Sequence, residues 1–343
     1  MKVLPSGKPI FISNRESIST KDFENAPVAA FDAGHGQPNW AQTGFPSREL
    51  HTNFAGLTEI LCRQGFHCQT TGAQPLEKHL LRCRLLVIPT PTGQYDVQRE
   101  RWRALPTSKF SDREIHLILE FIANGGRLLA FGYRFGDSFT RTNLHDLFIP
   151  LGCQPNDDVV IDARMFRDAH PLQIHFDTPS ESIPPAWARE GIARVRWRPM
   201  ATFTLQPGAA VHPIALSTGG HSICFDRRLR QISLTPMPIA VAGCRGAGQF
   251  ALFGGPHVFE SGPLGLLGTA DNTRFLRNVI TWLVNEPSSE PVSELVATTS
   301  PAHSDGWTRV ENWGDGARTI TSVERVLRRS GISKALSRAR WMP

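Results

Sequence analysis

The stretch FDAGHGQPNW (residues 31–40) places Asp32, His35, Gln37, Asn39 and Trp40 in a glycine-containing segment directly after a short apolar run. An imidazole three residues from a carboxylate has three uses. It can be a general base whose tautomer the carboxylate holds, a zinc ligand, or a hydrogen-bonding group that recognises a ligand. Three other apolar runs also end in polar, glycine-containing segments. RLLVIP (84–89) runs into Thr90-Pro91-Thr92-Gly93-Gln94, RLLAFG (127–132) into Tyr133 and Arg134, and QFALFGG (249–255) into His257 and Glu260. FGYRFG (131–136) has the G-x-x-x-G frame of a nucleophile elbow, whose middle residue is forced up at a strand-to-helix corner. Here that residue is Arg134, which cannot attack a carbonyl. No serine or cysteine adjoins it, and Ser138 lies four residues on. The scaffold of a nucleophilic triad is present without its nucleophile.

The elements that must position these groups are legible as alternating strands and amphipathic helices. VAAFD (28–32) reads as a buried strand, after which Ser47 caps a helix with Leu50, Phe54, Leu57 and Leu61 on one face and Gly65 at its end. A strand at 67–71 and the run 84–89 follow. In SDREIHLILEFIANGG (111–126), Ser111 and Glu114 make a capping box. Ile115, Ile118, Leu119 and Ile122 make its apolar face, and Gly125-Gly126 stop it. A last helix, begun by Asp271, is expected to turn Phe275, Val279, Trp282 and Leu283 inward. This alternation predicts an α/β fold with a mainly parallel sheet covered by helices on both faces. Ligands of such sheets sit beyond the carboxyl ends of the strands, so the four polar loops are expected to share one rim.

Residues 1–25 read as an N-terminal extension and 26–285 as the α/β domain, with a β-rich insertion at 158–245. Residues 286–305 form a Pro/Ser-rich linker, and 306–343 a basic helical tail. In the tail, Thr321 and Glu324 make a capping box beside Ile320, Val323 and Leu327. Gly331 interrupts before a second short face of Ile332, Ala335, Leu336 and Ala339. The chain of 343 residues carries a net charge of +6, all of it accounted for from Arg318 onward, where seven basic residues stand against Glu324 alone. Residues 1–317 therefore lack the field of a nucleic-acid-binding domain. An acidic protein partner, an anionic surface or a nucleic acid would have to engage the tail.

Six scattered cysteines without a C-x-x-C pair predict reduced, mostly buried thiols. No apolar run has the length of a signal peptide core or a membrane span, which makes the cytoplasm the expected compartment. His116, His170 and His175 are assigned structural or solvated roles, and Trp187 and Trp197 core packing.

The motifs FSDREIHLILEFIANGGRLLAFG, NDDVVID, AVHPIALSTGG and GAGQFALFGGPHVFES, with the final DNTRFLRNVITWLV, resemble those of the GIFT domain. That domain is a class I glutamine-amidotransferase-like fold found in gliding-motility proteins, an intraflagellar-transport subunit, an oligosaccharyltransferase subunit and uncharacterised bacterial relatives. With the opening strand and helix the resemblance covers most of residues 26–285. It implies a flavodoxin-like sheet from which the amidotransferase Cys-His-Glu has been lost. Arg134 then stands at the nucleophile position, and His257 with Glu260 where amidotransferases carry a tighter His-x-Glu. Domains of this kind are taken as ligand-binding or assembly modules.

The opening segment bears a second resemblance. FDAGHG followed by SRELHTNFAGLTEILCRQGF is similar to zinc-dependent N-acetylmuramoyl-alanine amidases, which would make His35 and Glu49 zinc ligands. The family's third ligand, a histidine after the next buried strand, is replaced by Val87-Ile88-Pro89-Thr90. Two ligands hold zinc poorly.

The expected function is thus a non-catalytic module needing neither cofactor nor metal. It would bind an anionic small molecule through Asp32, His35, Gln37, Gln94, Tyr133, Arg134, His257 and Glu260, with His35 facing His257. A larger assembly would be engaged through residues 306–343. The alternative is a metal-dependent or acid/base hydrolase using Asp32, His35, Glu49 and His257.

Overall fold

A computed structural model describes residues 26–35, 54–71, 75–91, 94–96, 101–103, 109–162, 175–182, 185–217, 222–226, 231–233, 235–262, 265–285 and 307–309. The chain opens with β1 (Val28–Phe31), α1 (Ala55–Arg63), β2 (His67–Thr70), α2 (Leu76–Leu80) and β3 (Cys83–Ile88). An antiparallel pair, β4 (Gln94–Asp96) and β5 (Arg101–Arg103), precedes α3 (Asp112–Ala123) and β6 (Arg127–Phe131). Then come α4 (Gly136–Thr140), α5 (Leu144–Phe148), β7 (Cys153–Pro155), β8 (Asp158–Asp162) and β9 (Phe176–Pro179). They are followed by α6 (Ala186–Arg189), β10 (Arg194–Trp197), β11 (Phe203–Leu205), β12 (Val211–Leu216), β13 (Ser222–Asp226) and β14 (Gln231–Ser233). The last elements are β15 (Pro238–Arg245), β16 (Gly248–Phe253), α7 (Asn272–Val284) and β17 (Trp307–Arg309).

Seven strands form the central sheet in the order β12-β15-β16-β6-β3-β1-β2. The five from β16 to β2 run parallel, and β15 and β12 complete one edge antiparallel. The inner strands are apolar along their whole length because both faces are covered, yet their residues still alternate between two cores. Ala29, Phe31, Leu85, Val87, Leu129, Phe131 and Phe253 pack with α1 and α7. Ala30, Leu86, Ile88, Leu128, Ala130 and Leu252 pack with α3 and α5.

β1, β2, β3, β6, β16, α3 and α7 fall within a residue or two of the runs read from the sequence. α3 has the expected capping box, with Ser111 Oγ accepting from the Glu114 backbone and Glu114 accepting from the Ser111 backbone. In α7, Phe275, Val279 and Leu283 are buried as expected, joined by Leu276 and Ile280. Trp282 is only half-buried and stacks flat on Trp187 at 4.9 Å. Ser47 and Leu50 lie outside the described residues, and the described part of their helix begins at Ala55.

Between residues 158 and 245, β12 and β15 join the central sheet, while β8, β13 and β14 build a separate four-stranded sheet whose fourth strand is β17. β17 pairs antiparallel with β14, so the first residues of the basic C-terminal span are tied to the domain by backbone hydrogen bonds. Residues 1–25, 286–306 and 310–343 lie outside the described residues. The end of β16 is reached closely by the segment after β10. The Ala201 backbone donates to the Gly254 carbonyl at 3.1 Å, and a Cβ on Gly254 would stand 1.9 Å from the Ala201 oxygen. Only glycine permits that approach.

Candidate functional site

At the carboxyl end of β1 the backbone N–H of Asp32 donates to the Val87 carbonyl at 2.8 Å, which fixes the start of the turn. The Asp32 side chain organises the remainder of the turn. Its Oδ1 accepts from the Gly34 backbone at 3.1 Å, and its Oδ2 lies 2.8 Å from His35 Nδ1. The other ring nitrogen, Nε2, faces Glu114 Oε1 at 3.4 Å, and the ring stacks on Phe110 with centroids 3.7 Å apart. Asp32 is 2% and His35 6% exposed. Glu114 therefore serves twice: one carboxylate oxygen closes the capping box of α3, and the other holds the β1 loop. The group found opposite His35 is this helix cap.

The flanking carboxylates govern the charge of the imidazole. Burial pulls the His35 pKa down, but the Asp32 hydrogen bond and the fields of Asp32 and Glu114 outweigh it, leaving the value above 6.5. Burial pushes Glu114 up, while its bonds to Ser111 and the neighbouring His35 hold it below 4.5. The signs give a window. The stability contributed by His35 is fully present below its unfolded value and is lost as pH rises through its folded value. That of Glu114 is present above its unfolded value and is lost as pH falls through its folded value. The clamp is strongest between 4.5 and 6.5. His35→Asn is accordingly expected to cost more stability near pH 5.5 than near pH 8.5. Urea unfolding of both proteins at the two pH values measures the difference, and an equal cost at both would show that folding leaves the His35 pKa unshifted.

A second cluster follows β6. Phe135, one place after the centre of the G-x-x-x-G frame, is left-handed at φ 61°, ψ 17°, and Gly136 follows at φ 56°. A left-handed non-glycine residue costs about 1–2 kcal/mol. It is held here by donation from the Phe135 backbone to the Asp158 carbonyl at 2.7 Å, and from Gly136 to Tyr133 at 2.9 Å. The strained position of the corner is thus Phe135 rather than Arg134. Arg134 is 8% exposed, with its guanidinium carbon 5.0 Å from the Tyr133 ring centre and 5.9 Å from that of Phe139. Those two rings stack on each other at 6.0 Å and make an aromatic shelf under the cation.

Tyr133 also meets His257 edge-on at 6.1 Å, and His257 Nδ1 lies 2.6 Å from Glu260 Oε2. The His257–Glu260 turn is anchored by backbone donation from Leu266 to His257 and from Leu267 to Glu260. His175 stands within electrostatic reach of His257. Burial, then the charges of Arg198 and Arg196, hold its pKa below 6.5. Arg198 is itself buried. Neither arginine stands out in the sequence, where they fall in the alternating run RVRWR with no turn chemistry to mark them.

The structure thus gathers Asp32 with His35, and Tyr133 with Arg134, His257 and Glu260. Phe110, against His35, belongs to the core under α3 and α5, whereas Val258 and Phe259 belong to the core under α1 and α7. Thr90 ties two of the loops together by donating to the Gly132 carbonyl at 2.8 Å. Gln94 opens β4, while Gln37 and Glu49 lie outside the described residues. Among the described residues no group of three or more His, Cys, Asp or Glu is arranged to hold a metal ion. No described helix is long and apolar enough to cross a membrane.

No family model matches the chain, and no curated protein matches it in sequence. Solved structures do match in fold. The structure described as the mmIFT52 N-terminal domain superposes with a TM-score of 0.55 at 16% identity, covering 76% of this chain and 99% of its own. The cytoplasmic protein STM1381 from Salmonella typhimurium LT2 gives 0.45 at 14% identity, with 75% and 99% covered. STM3548 from Salmonella typhimurium gives 0.44 at 15%, with 75% and 98% covered. At these identities the likeness is one of fold: a mixed α/β chain with a mostly parallel sheet, similar to the mmIFT52 N-terminal domain.

Proposed function

We propose that this chain is a non-catalytic, amidotransferase-like α/β module of the GIFT type. In this reading it binds a small carboxylate or phosphate beside Arg134 and joins a larger protein assembly. One observation carries the reading: the corner after β6 offers no nucleophile, with Phe135 at its strained position and a buried arginine beside it on the Tyr133–Phe139 shelf. Five of the six cysteines offer no substitute. Burial pushes the Cys83 thiol up to about 12 and raises those of Cys153, Cys224 and Cys244, and the contact with Cys62, then burial, raises Cys68. A thiol held protonated is a poor nucleophile. The parallel strands succeed one another as β2-β1-β3-β6-β16, which supports a flavodoxin-like sheet. The likeness in fold to the mmIFT52 N-terminal domain supports the GIFT reading.

Within this reading the ligand-facing groups are Tyr133, Arg134, His257 and Glu260, with Gln37 and Gln94 as further contacts. The planar guanidinium fork suits a carboxylate or phosphate. Asp32 and His35 order the β1 loop from which the rim is built. The basic span beyond β17 is assigned to an acidic protein partner on its charge. Thermal-shift screening of small carboxylates and phosphates tests the module. Arg134→Ala is expected to weaken the best ligand about tenfold, the loss of one modest charge-assisted hydrogen bond. Glutamine should remain unhydrolysed. Glutaminase or other hydrolase activity that disappears with His257→Ala, or stoichiometric zinc lost with His35→Ala, would replace the module with the hydrolase reading.

A further inference from the structure

We infer that Cys62 and Cys68 are a paired dithiol that a hydroperoxide closes into an intramolecular disulfide, independently of any ligand at Arg134. Cys62 lies in the last turn of α1 and Cys68 in β2, and their sulfurs are 3.9 Å apart. The turn between them is built to keep them there. Gln64 donates to Ile60 and Leu61, Gly65 to Cys62, and Phe66 to Leu61, with Gly65 at φ 86° and the Phe66 ring buried beneath. A disulfide requires the sulfurs to approach to about 2 Å, a further movement of about 2 Å that side-chain rotation can supply. Both thiols are half-buried and within reach of a small oxidant, whereas Cys83, Cys153 and Cys224 are buried.

The roles of the two sulfurs differ. Cys68 also points its S–H at the Thr58 carbonyl, 3.9 Å away, and the neighbouring Cys62 raises its pKa, so Cys62 is assigned as the attacking sulfur. The Cys62 thiolate attacks the outer oxygen of the hydroperoxide. The O–O bond breaks, and the departing alkoxide or hydroxide takes up a proton. The resulting Cys62 sulfenic acid is attacked by the Cys68 sulfur. An S–S bond forms, the S–O bond breaks, and the hydroxide leaves as water with the Cys68 proton. The cross-link pins the end of α1 to an edge strand of the central sheet. The other end of α1 already holds the His257–Glu260 region, through donation from Gly56 to Ser261 Oγ at 3.0 Å. Oxidation therefore stiffens the helix that braces that turn.

The test treats the full-length protein with hydrogen peroxide, blocks remaining thiols with N-ethylmaleimide and digests it with trypsin. Cleavage after Arg63 separates the two cysteines, so the disulfide joins peptide 49–63 to peptide 64–78 with the loss of two hydrogens. The inference expects that pair as the dominant product, its removal by dithiothreitol, and a reversible rise of a few degrees in the melting temperature. It also expects no cross-link in Cys62→Ser or in Cys68→Ser. Separate alkylation or over-oxidation of the two cysteines in the wild-type protein, without the joined peptides, would overturn it, as would preferential pairing of either with Cys244.

Discussion

Phe259→Ala will destabilise the protein by about 3–5 kcal/mol, the range for removing a fully buried aromatic ring. Phe259 is completely buried, meets Phe253 edge-on at 4.5 Å and Phe131 at 5.5 Å, and stacks with Phe275 at 6.1 Å. Three elements thus converge on one ring: the ends of β6 and β16 and the first turn of α7. Truncation leaves a cavity that rigid strands cannot fill, and it opens directly beneath the His257–Glu260 pair. The midpoint of thermal unfolding should fall by roughly 10 °C, given about 2–4 °C per kcal/mol for a domain of this size. Phe259→Leu should lose less than half as much. Differential scanning calorimetry of both variants checks the ordering. Equal loss in the two would mean that ring contacts, not cavity volume, dominate.

Asp158→Ala is expected to cost about 2–4 kcal/mol, from two lost hydrogen bonds and the buried donors left behind. Asp158 is fully buried in β8. Its Oδ1 accepts from the Thr202 backbone at 2.7 Å and its Oδ2 from Thr202 Oγ1 at 2.6 Å. Its own carbonyl receives the N–H of the left-handed Phe135. The loss should therefore reach beyond stability. With β8 loosened, the corner that carries Arg134 relaxes, and the affinity of any ligand found there should fall in the variant at temperatures where it is still folded. Asp158→Asn separates the effects, because it keeps the volume but turns an amide toward one of the two Thr202 donors. Urea unfolding together with ligand titration reads both quantities. Unchanged affinity in a destabilised Asp158→Ala would show that the corner is held by its own turn alone.

The core elements around the candidate site were legible because their signals are local. Ser111 and Glu114 are three residues apart, so the cap of α3 follows from the sequence, as do the apolar faces of α1, α3 and α7 and the apolar runs of β1, β3, β6 and β16. The pairing of His35 with Asp32 and of His257 with Glu260 belongs to the same class, each within three residues. Fold class followed from the alternation of these elements, since a strand buried on both faces needs helices to cover it.

Other features depended on which strands became neighbours. Glu114 meets His35 only because α3 is carried back over the sheet to the end of β1, and Tyr133 meets His257 because β6 and β16 lie side by side. β12 and β15 extend the central sheet, whereas β8, β13 and β14 do not, although all five lie in one stretch of chain. Trp307–Arg309, in a span that reads as tail, becomes the edge strand beside β14. Hydrophobic periodicity states that a strand has a buried face, but not which backbone edge completes its hydrogen bonds. That choice is made by the packing of the whole sheet. It converts a helix cap into the partner of His35 and draws Arg198, unmarked in the sequence, toward His175.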